Sequence, residues 1–228
     1  MKILNNDPFG IKKEINLLRN DFLELGFPEN ERNSLIKSVK FILFFKILSN
    51  YREENNFYIN MVYDLLNALV SIINNQDRYF HLSIRSSIEQ MARIDLNRDV
   101  SNKNSCMIHI NDFAYLKSNG CRKAQEHWEK LYENYKNACL YVHGSPDSGI
   151  DFIASYNELR NNKLKLNIKQ FIKRLNAVCF HLINISSIHD KNLIQEIFWR
   201  NKSDLIYLLG EKLHYQLYDN KIEKRDQY

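Results

Sequence analysis

The stretch FYINMVYDLLNALVSIINNQDRYFHLSIRSSIEQMARI, Phe57 to Ile94, contains two apolar series in succession. Phe57, Met61, Leu65, Leu69 and Ile72 form the first, and Phe80, Ile84, Ile88, Met91 and Ile94 the second. Steps of three and four residues keep side chains on one face of an α-helix, so each series predicts an amphipathic helix. The first is expected over about Glu53 to Asn75; the second starts near Asp77, which can serve as its N-cap. The joint Asn74-Asn75-Gln76 is short, which predicts antiparallel neighbours.

The same period extends in both directions. Upstream, Ile11, Ile15, Leu18, Phe22 and Leu25 put one stripe on a first helix, which Gly26-Phe27-Pro28 stops. A second helix is expected from Glu29 to Ser49, apolar nearly all round in its second half and therefore central. Downstream, the polar run Asn97 to Asn104 predicts a loop, followed by a short helix around Asp112 to Ser118. A long helix from about Arg122 to Val142 then buries Trp128, Leu131, Tyr135, Ala138 and Val142. Gly144 closes it, and the cluster through Gly149 is the clearest break in the chain. A short helix near Tyr156 to Asn161, a long one from about Ile168 to Ile188, and a last helical pair from Asn192 to Tyr218 complete the series, with Ser203 or Asp204 capping the second member of the pair. The expectation is an all-α fold: one helical-bundle domain of about eight to nine helices over residues 1–218, with helices 156–218 at its C-terminal end and a disordered tail at 219–228.

Composition narrows the function classes. Only 6 Gly and 3 Pro in 228 residues argue against an all-β fold and against Gly-rich phosphate loops. The four cysteines, Cys106, Cys121, Cys139 and Cys179, form no C-x-x-C pair, which fits reduced thiols in a cytoplasmic protein. The apolar runs are short and interrupted, so no membrane span is expected, and the N-terminus lacks the pattern of a secretory leader. Neither a metal site nor a cofactor is expected, since His81, His109, His181, His189 and His214 have no second ligand at i+4 and no H-E-x-x-H is present. Trp128 and Trp199 are read as packing anchors. Lys163, Lys165, Lys169, Lys173 and Arg174 read as a solvated face, with RNA backbone contact as the sharper alternative.

Two stretches carry more chemistry. In Ile84-Arg85-Ser86-Ser87-Ile88-Glu89, Arg85 and Glu89 stand one helical turn apart, and small serines allow another helix to approach closely. In Tyr135-Lys136-Asn137-Ala138-Cys139-Leu140-Tyr141-Val142-His143-Gly144-Ser145, His143 is a proton carrier at the negative end of a helix dipole.

"RSSIE" followed further along by "YKNACLYVHGS" resembles bacterial all-helical proteins, among them abortive-infection proteins, that look like relatives of the HEPN superfamily. HEPN ribonucleases carry an Arg, often followed by Asn, then a short spacer and a His near one end of a long helix. The resemblance places a HEPN-like core at about residues 53–145. It implies metal-independent RNA cleavage at a homodimer interface, with a histidine as general acid or base and a cation on the phosphate. Carried onto this chain, the resemblance makes His143 the proton-transfer residue and sets Arg85 and Lys136 on the scissile phosphate, with Asn137, Tyr135 and Glu89 in support. The match departs from the family pattern at Lys136, where Arg is usual and its bidentate fork is lost. Arg85 either supplies that guanidinium or pairs with Glu89 to hold the bundle. A second candidate pair, Arg122 and His127, satisfies Arg-x4-His outright. The expected role is a toxin or anti-phage effector acting on RNA, with an antitoxin or defence-system protein as a further partner. The alternative is a non-catalytic helical interaction or regulatory module of such a system.

Overall fold

The structure is a computed structural model and describes residues 7–52, 56–98, 106–119, 121–146 and 168–218. These residues form ten α-helices and no strand. In chain order they are α1 (Ile11–Glu24), α2 (Glu29–Ser49), α3 (Asn56–Ile73), α4 (Asp77–Asp95) and α5 (Ile110–Asn119). They continue as α6 (Arg122–Val142), α7 (Ile168–His189), α8 (Lys191–Ile197), α9 (Lys202–Leu209) and α10 (Glu211–Tyr218). The all-α expectation agrees with this architecture, and the helix count is slightly above the eight to nine expected.

The extra helix lies at the C-terminal end. The stretch expected as a helical pair is three short helices, because Gly210 at φ 82° closes α9 and redirects the chain into α10. Neither Ser203 nor Asp204 caps α9: both lie inside it, behind Asn201. Asp77 is likewise the first residue of α4 rather than its cap. The helix expected near Tyr156 to Asn161 and the tail 219–228 lie outside the described residues.

Helix α2 is the axis of the bundle. Phe41 to Phe45, Ile47 and Leu48 are all buried, and the helix contacts α1, α3, α7 and α9. A helix apolar on every side can be covered only by surrounding it. The most extensive helix pair is α3 with α4, as the short joint predicts, and α6 and α7 close the other side of α4. Buried side chains from all ten helices join in one continuous core. Trp128 is fully buried and donates its indole N–H to Asp95. Trp199, by contrast, is 67% exposed and lies beneath the Lys202 ammonium, so it does not anchor packing.

Polar groups fasten the end of α7. Asp190 is buried and accepts from Tyr58 and Arg52, while His189 binds Asp95, the carboxylate that also holds Trp128. A buried carboxylate is tolerated only when donors replace its water, and here α3, α4, α6, the end of α7 and the segment that follows α2 are tied through two of them. Arg174, expected on a solvated face, turns inward and reaches Asn134 and His81.

By length and composition α3 is apolar enough to cross a membrane, but half of it is buried inside the fold. Its core side carries Phe57, Met61, Leu65 and Leu69.

The hydrogen bond to Asp95 raises the His189 pKa above its ordinary 6.5, against the effect of burial. Stability from this pair is therefore fully present below pH 6.5 and is lost as pH rises through the raised folded value. Urea unfolding of wild type and His189→Gln between pH 5 and 9 is expected to show a stability advantage for wild type that shrinks with rising pH. An advantage independent of pH contradicts this assignment.

Candidate functional site

Residues one turn apart on two facing helices build this site. Helix α4 buries Ile84, Ser87, Ile88 and Met91, which turns Arg85 and Glu89 to its margin, facing α6. Ser83 and Ser87 are buried, and their small side chains suit the close approach of neighbouring helices. From α6, Tyr135 and Cys139 reach the same margin. Arg85 Nε donates to Glu89 Oε1 at 3.0 Å, Tyr135 Oη donates to the same oxygen at 3.2 Å, and Arg93 Nη2 donates to Glu89 Oε2 at 3.4 Å. One carboxylate thus collects two guanidiniums and a phenol. Burial and the Glu89 charge push the Tyr135 phenol up to about 12, so it stays a donor at neutral pH. Burial also raises the Cys139 thiol, which leaves it protonated rather than nucleophilic.

The C-terminus of α6 delivers His143 to this margin. Gly144 takes φ 63°, its N–H bonds Tyr141 O at 3.3 Å, and the Ser145 N–H returns to Leu140 O at 2.9 Å. These two bonds make a Schellman motif with His143 as the C-cap residue. Arg78 Nη2 donates to Val142 O at 2.9 Å and satisfies another terminal carbonyl. Two residues before His143, the Tyr141 ring stacks on His81, with centroids 3.6 Å apart. His81 is buried, and burial together with the Arg174 charge lowers its pKa to about 3, so it is a neutral structural imidazole.

The result is a contact between the two stretches that stand out in the sequence: Arg85 Nη1 lies 3.4 Å from His143 Nε2. Arginine has no acceptor, so in this contact Arg85 Nη1 can only donate and His143 Nε2 can only accept. A base and a fixed cation therefore stand side by side. His143 is exposed and Arg85 partly so, which leaves the pair accessible to a large substrate. Chemically, the arrangement can remove a proton and stabilise an anion formed beside it.

No protein-family model, curated protein or solved structure matches the chain.

Other residues singled out from sequence lie elsewhere. Lys136 projects toward the N-terminus of α6, with its ammonium 5.1 Å from the Tyr132 ring, beside the α5–α6 groove. That directs it away from His143, which stands about 10 Å further along the helix axis. Asn137 is exposed and about 120° round α6 from His143, outside the site. Arg122 and His127 do not come together as a pair. Five residues on an α-helix turn through about 500°, so the two side chains leave different faces. Arg122 is exposed, whereas His127 Nδ1 lies 2.9 Å from His181 Nδ1 on α7. Burial lowers both pKa values, that of His181 to about 4, which suits a neutral helix-to-helix hydrogen bond.

Sequence reasoning missed Arg78 and Tyr141. The signal for Arg78 was its position seven residues before Arg85, two turns away on one face of α4. Tyr141 gave no comparable signal, since its partner His81 is identified only by the α4–α6 contact.

Ala at position 144 has open space for its Cβ but must adopt a left-handed backbone. Gly144→Ala is expected to cost about 1 kcal/mol in urea unfolding and to displace His143. Unchanged stability would mean that the Schellman turn does not hold the helix end.

Proposed function

We propose that the protein is a metal-independent endoribonuclease of HEPN type, a cytoplasmic toxin or anti-phage effector. The observation that carries this reading is the 3.4 Å contact of Arg85 with His143 at an open helix end, within the two stretches that resemble that superfamily. In this reading Arg85 Nη1 passes from His143 to the phosphate, which frees Nε2 to take the proton of a ribose 2′-hydroxyl. The oxygen attacks the adjacent phosphorus, the bond to the 5′-oxygen breaks, the leaving oxygen takes up a proton from water, and the products carry a 2′,3′-cyclic phosphate and a 5′-hydroxyl. Arg85 neutralises the charge that builds on the phosphoryl oxygens, while Glu89 and Tyr135 fix the guanidinium plane. Arg78, which already grips the helix end, adds a second cation beside the substrate path. Lys136 lies outside this reading of the chemical step.

Association with a second copy rests on α3. Ile59, Tyr63, Leu66 and Val70 are exposed along its outer side at steps of four, three and four, interleaved with Asn60, Asn67 and Asn74. Asp64, the helix's only charged residue, hydrogen-bonds to Ser86 and Gln90 of α4. An apolar stripe free of charge suits self-association better than a solvated face. The same stripe favours the second reading, a non-catalytic interaction module seated on an antitoxin or another defence protein. Sedimentation of wild type and Leu66→Glu tests the stripe: a wild-type dimer that becomes monomeric supports it, and identical behaviour removes it.

Incubation with tRNA and total RNA in EDTA tests the chemistry. Wild type is expected to cleave, and His143→Ala to lose about a hundredfold or more in rate while its circular dichroism stays unchanged. Arg85→Lys keeps the charge but not the fork, and is expected to fall well below wild type. RNA with 2′-deoxyribose at the cleaved position is expected to resist. Equal cleavage by wild type and His143→Ala overturns the assignment; cleavage by neither favours the interaction module.

A further inference from the structure

A second concave surface shares no residue with the Arg85–His143 site. It lies between α1, α2 and α9, with a volume of about 480 Å³. Arg19 from α1 and Lys37 and Lys40 from α2 line it, and Tyr207 of α9 forms part of its wall. Lys37 and Lys40 are one turn apart on the same face of α2, so both side chains reach the groove, Lys37 Nζ lying 5.7 Å from the Phe41 ring. Lys40 Nζ stands 3.6 Å from the centroid of the Tyr207 ring.

Several cations of the molecule stand in ion pairs. Lys46 is matched by Glu14, Arg52 by Asp190, Arg85 and Arg93 by Glu89, and Arg98 by Asp112. In the groove three cations converge, no carboxylate lines the wall, and none of the three has an ion-pair partner among the described residues. Burial and the nearby Arg19 charge both lower the Lys40 pKa, as expected for a cation held among like charges without an anion.

We propose that this groove binds a nucleotide carrying a polyphosphate. Arg19, Lys37 and Lys40 hold the phosphates, and the base lies on Tyr207. Three cations spread over two helices call for several negative charges rather than one. Arg19 offers a bidentate fork to phosphate oxygens, and the lysines add point charges. Lys40 moving from the ring to a phosphate exposes an aromatic face, while Ile36 and Leu209 supply apolar wall. The volume falls within the range of small-molecule sites.

Calorimetry and thermal unfolding of the full chain with ATP and GTP test the proposal, with adenosine, guanosine, tripolyphosphate and a 5′-hydroxyl RNA oligonucleotide as comparisons. A nucleoside triphosphate is expected to bind and raise the Tm, with nucleosides inert and tripolyphosphate weaker. Arg19→Ala and Lys40→Ala are each expected to weaken that binding by about tenfold or more. In the absence of ligand, Lys40→Met is expected to keep or raise the Tm, because it removes one of three like charges; a structural lysine would lower it. The proposal is overturned by no response at millimolar nucleotide, by a response that survives both alanine variants, by tripolyphosphate equalling the nucleotides, or by tighter binding of an oligonucleotide that is lost in Arg19→Ala and Lys40→Ala. None of these outcomes depends on whether the protein cleaves RNA.

Discussion

The Glu89 carboxylate is the constraint around which the candidate site is organised. It is mostly shielded from water and accepts from Arg85 and Arg93 of its own helix and from Tyr135 of α6. A carboxylate in that position needs several donors to replace its hydration, and each donor it recruits is thereby fixed in place. Arg85 held through Nε has only its remaining N–H groups to offer, and one of these faces His143. The alternatives left open by the sequence, that Arg85 pairs with Glu89 or that it serves a phosphate, are therefore compatible in geometry: the ion pair aims the guanidinium.

The bundle supplies the rigidity that such aiming requires. Helix α2 is surrounded, α3 and α4 pack along their length, and the carboxylates Asp95 and Asp190 bind the end of α7 to three other helices and to the segment that follows α2. Against this frame α6 is fixed twice near its C-terminus, by Tyr141 stacked on His81 and by Arg78 on the Val142 carbonyl. The Schellman turn then sets the direction in which His143 leaves the helix. Backbone hydrogen bonding, ring stacking and charge act on neighbouring residues at one helix end.

Much of this was legible in the sequence because helical period and stop signals are local. The limits of α2 and α6 were read correctly, since Pro28 and Gly144 mark them chemically, and the antiparallel α3–α4 pair followed from a three-residue joint. The Arg85–His143 contact joins residues 58 apart in sequence, and it was anticipated from a resemblance rather than from period. What failed depended on tertiary direction. Period places Lys136 near the line of His143 on α6, but a helical side chain leans toward the N-terminus, and Lys136 follows that lean to Tyr132. Arg-x4-His is a spacing in sequence that a helix converts into two faces, so Arg122 and His127 part. Trp199 was read from residue type alone, and its exposure depends on where the short C-terminal helices turn. Three unmatched cations between α1 and α2 were invisible because Arg19 is brought to Lys37 and Lys40 only by packing.

The central claim is that Arg85 and His143 act as one unit on RNA. A double-mutant cycle on kcat/KM tests it most directly, with wild type, Arg85→Ala, His143→Ala and the double variant assayed on one oligonucleotide after each is shown to be folded. Groups that act as a unit are strongly non-additive, so the double variant is predicted to be no slower than the worse single variant. Losses that multiply would show that the two residues act independently and contradict the account.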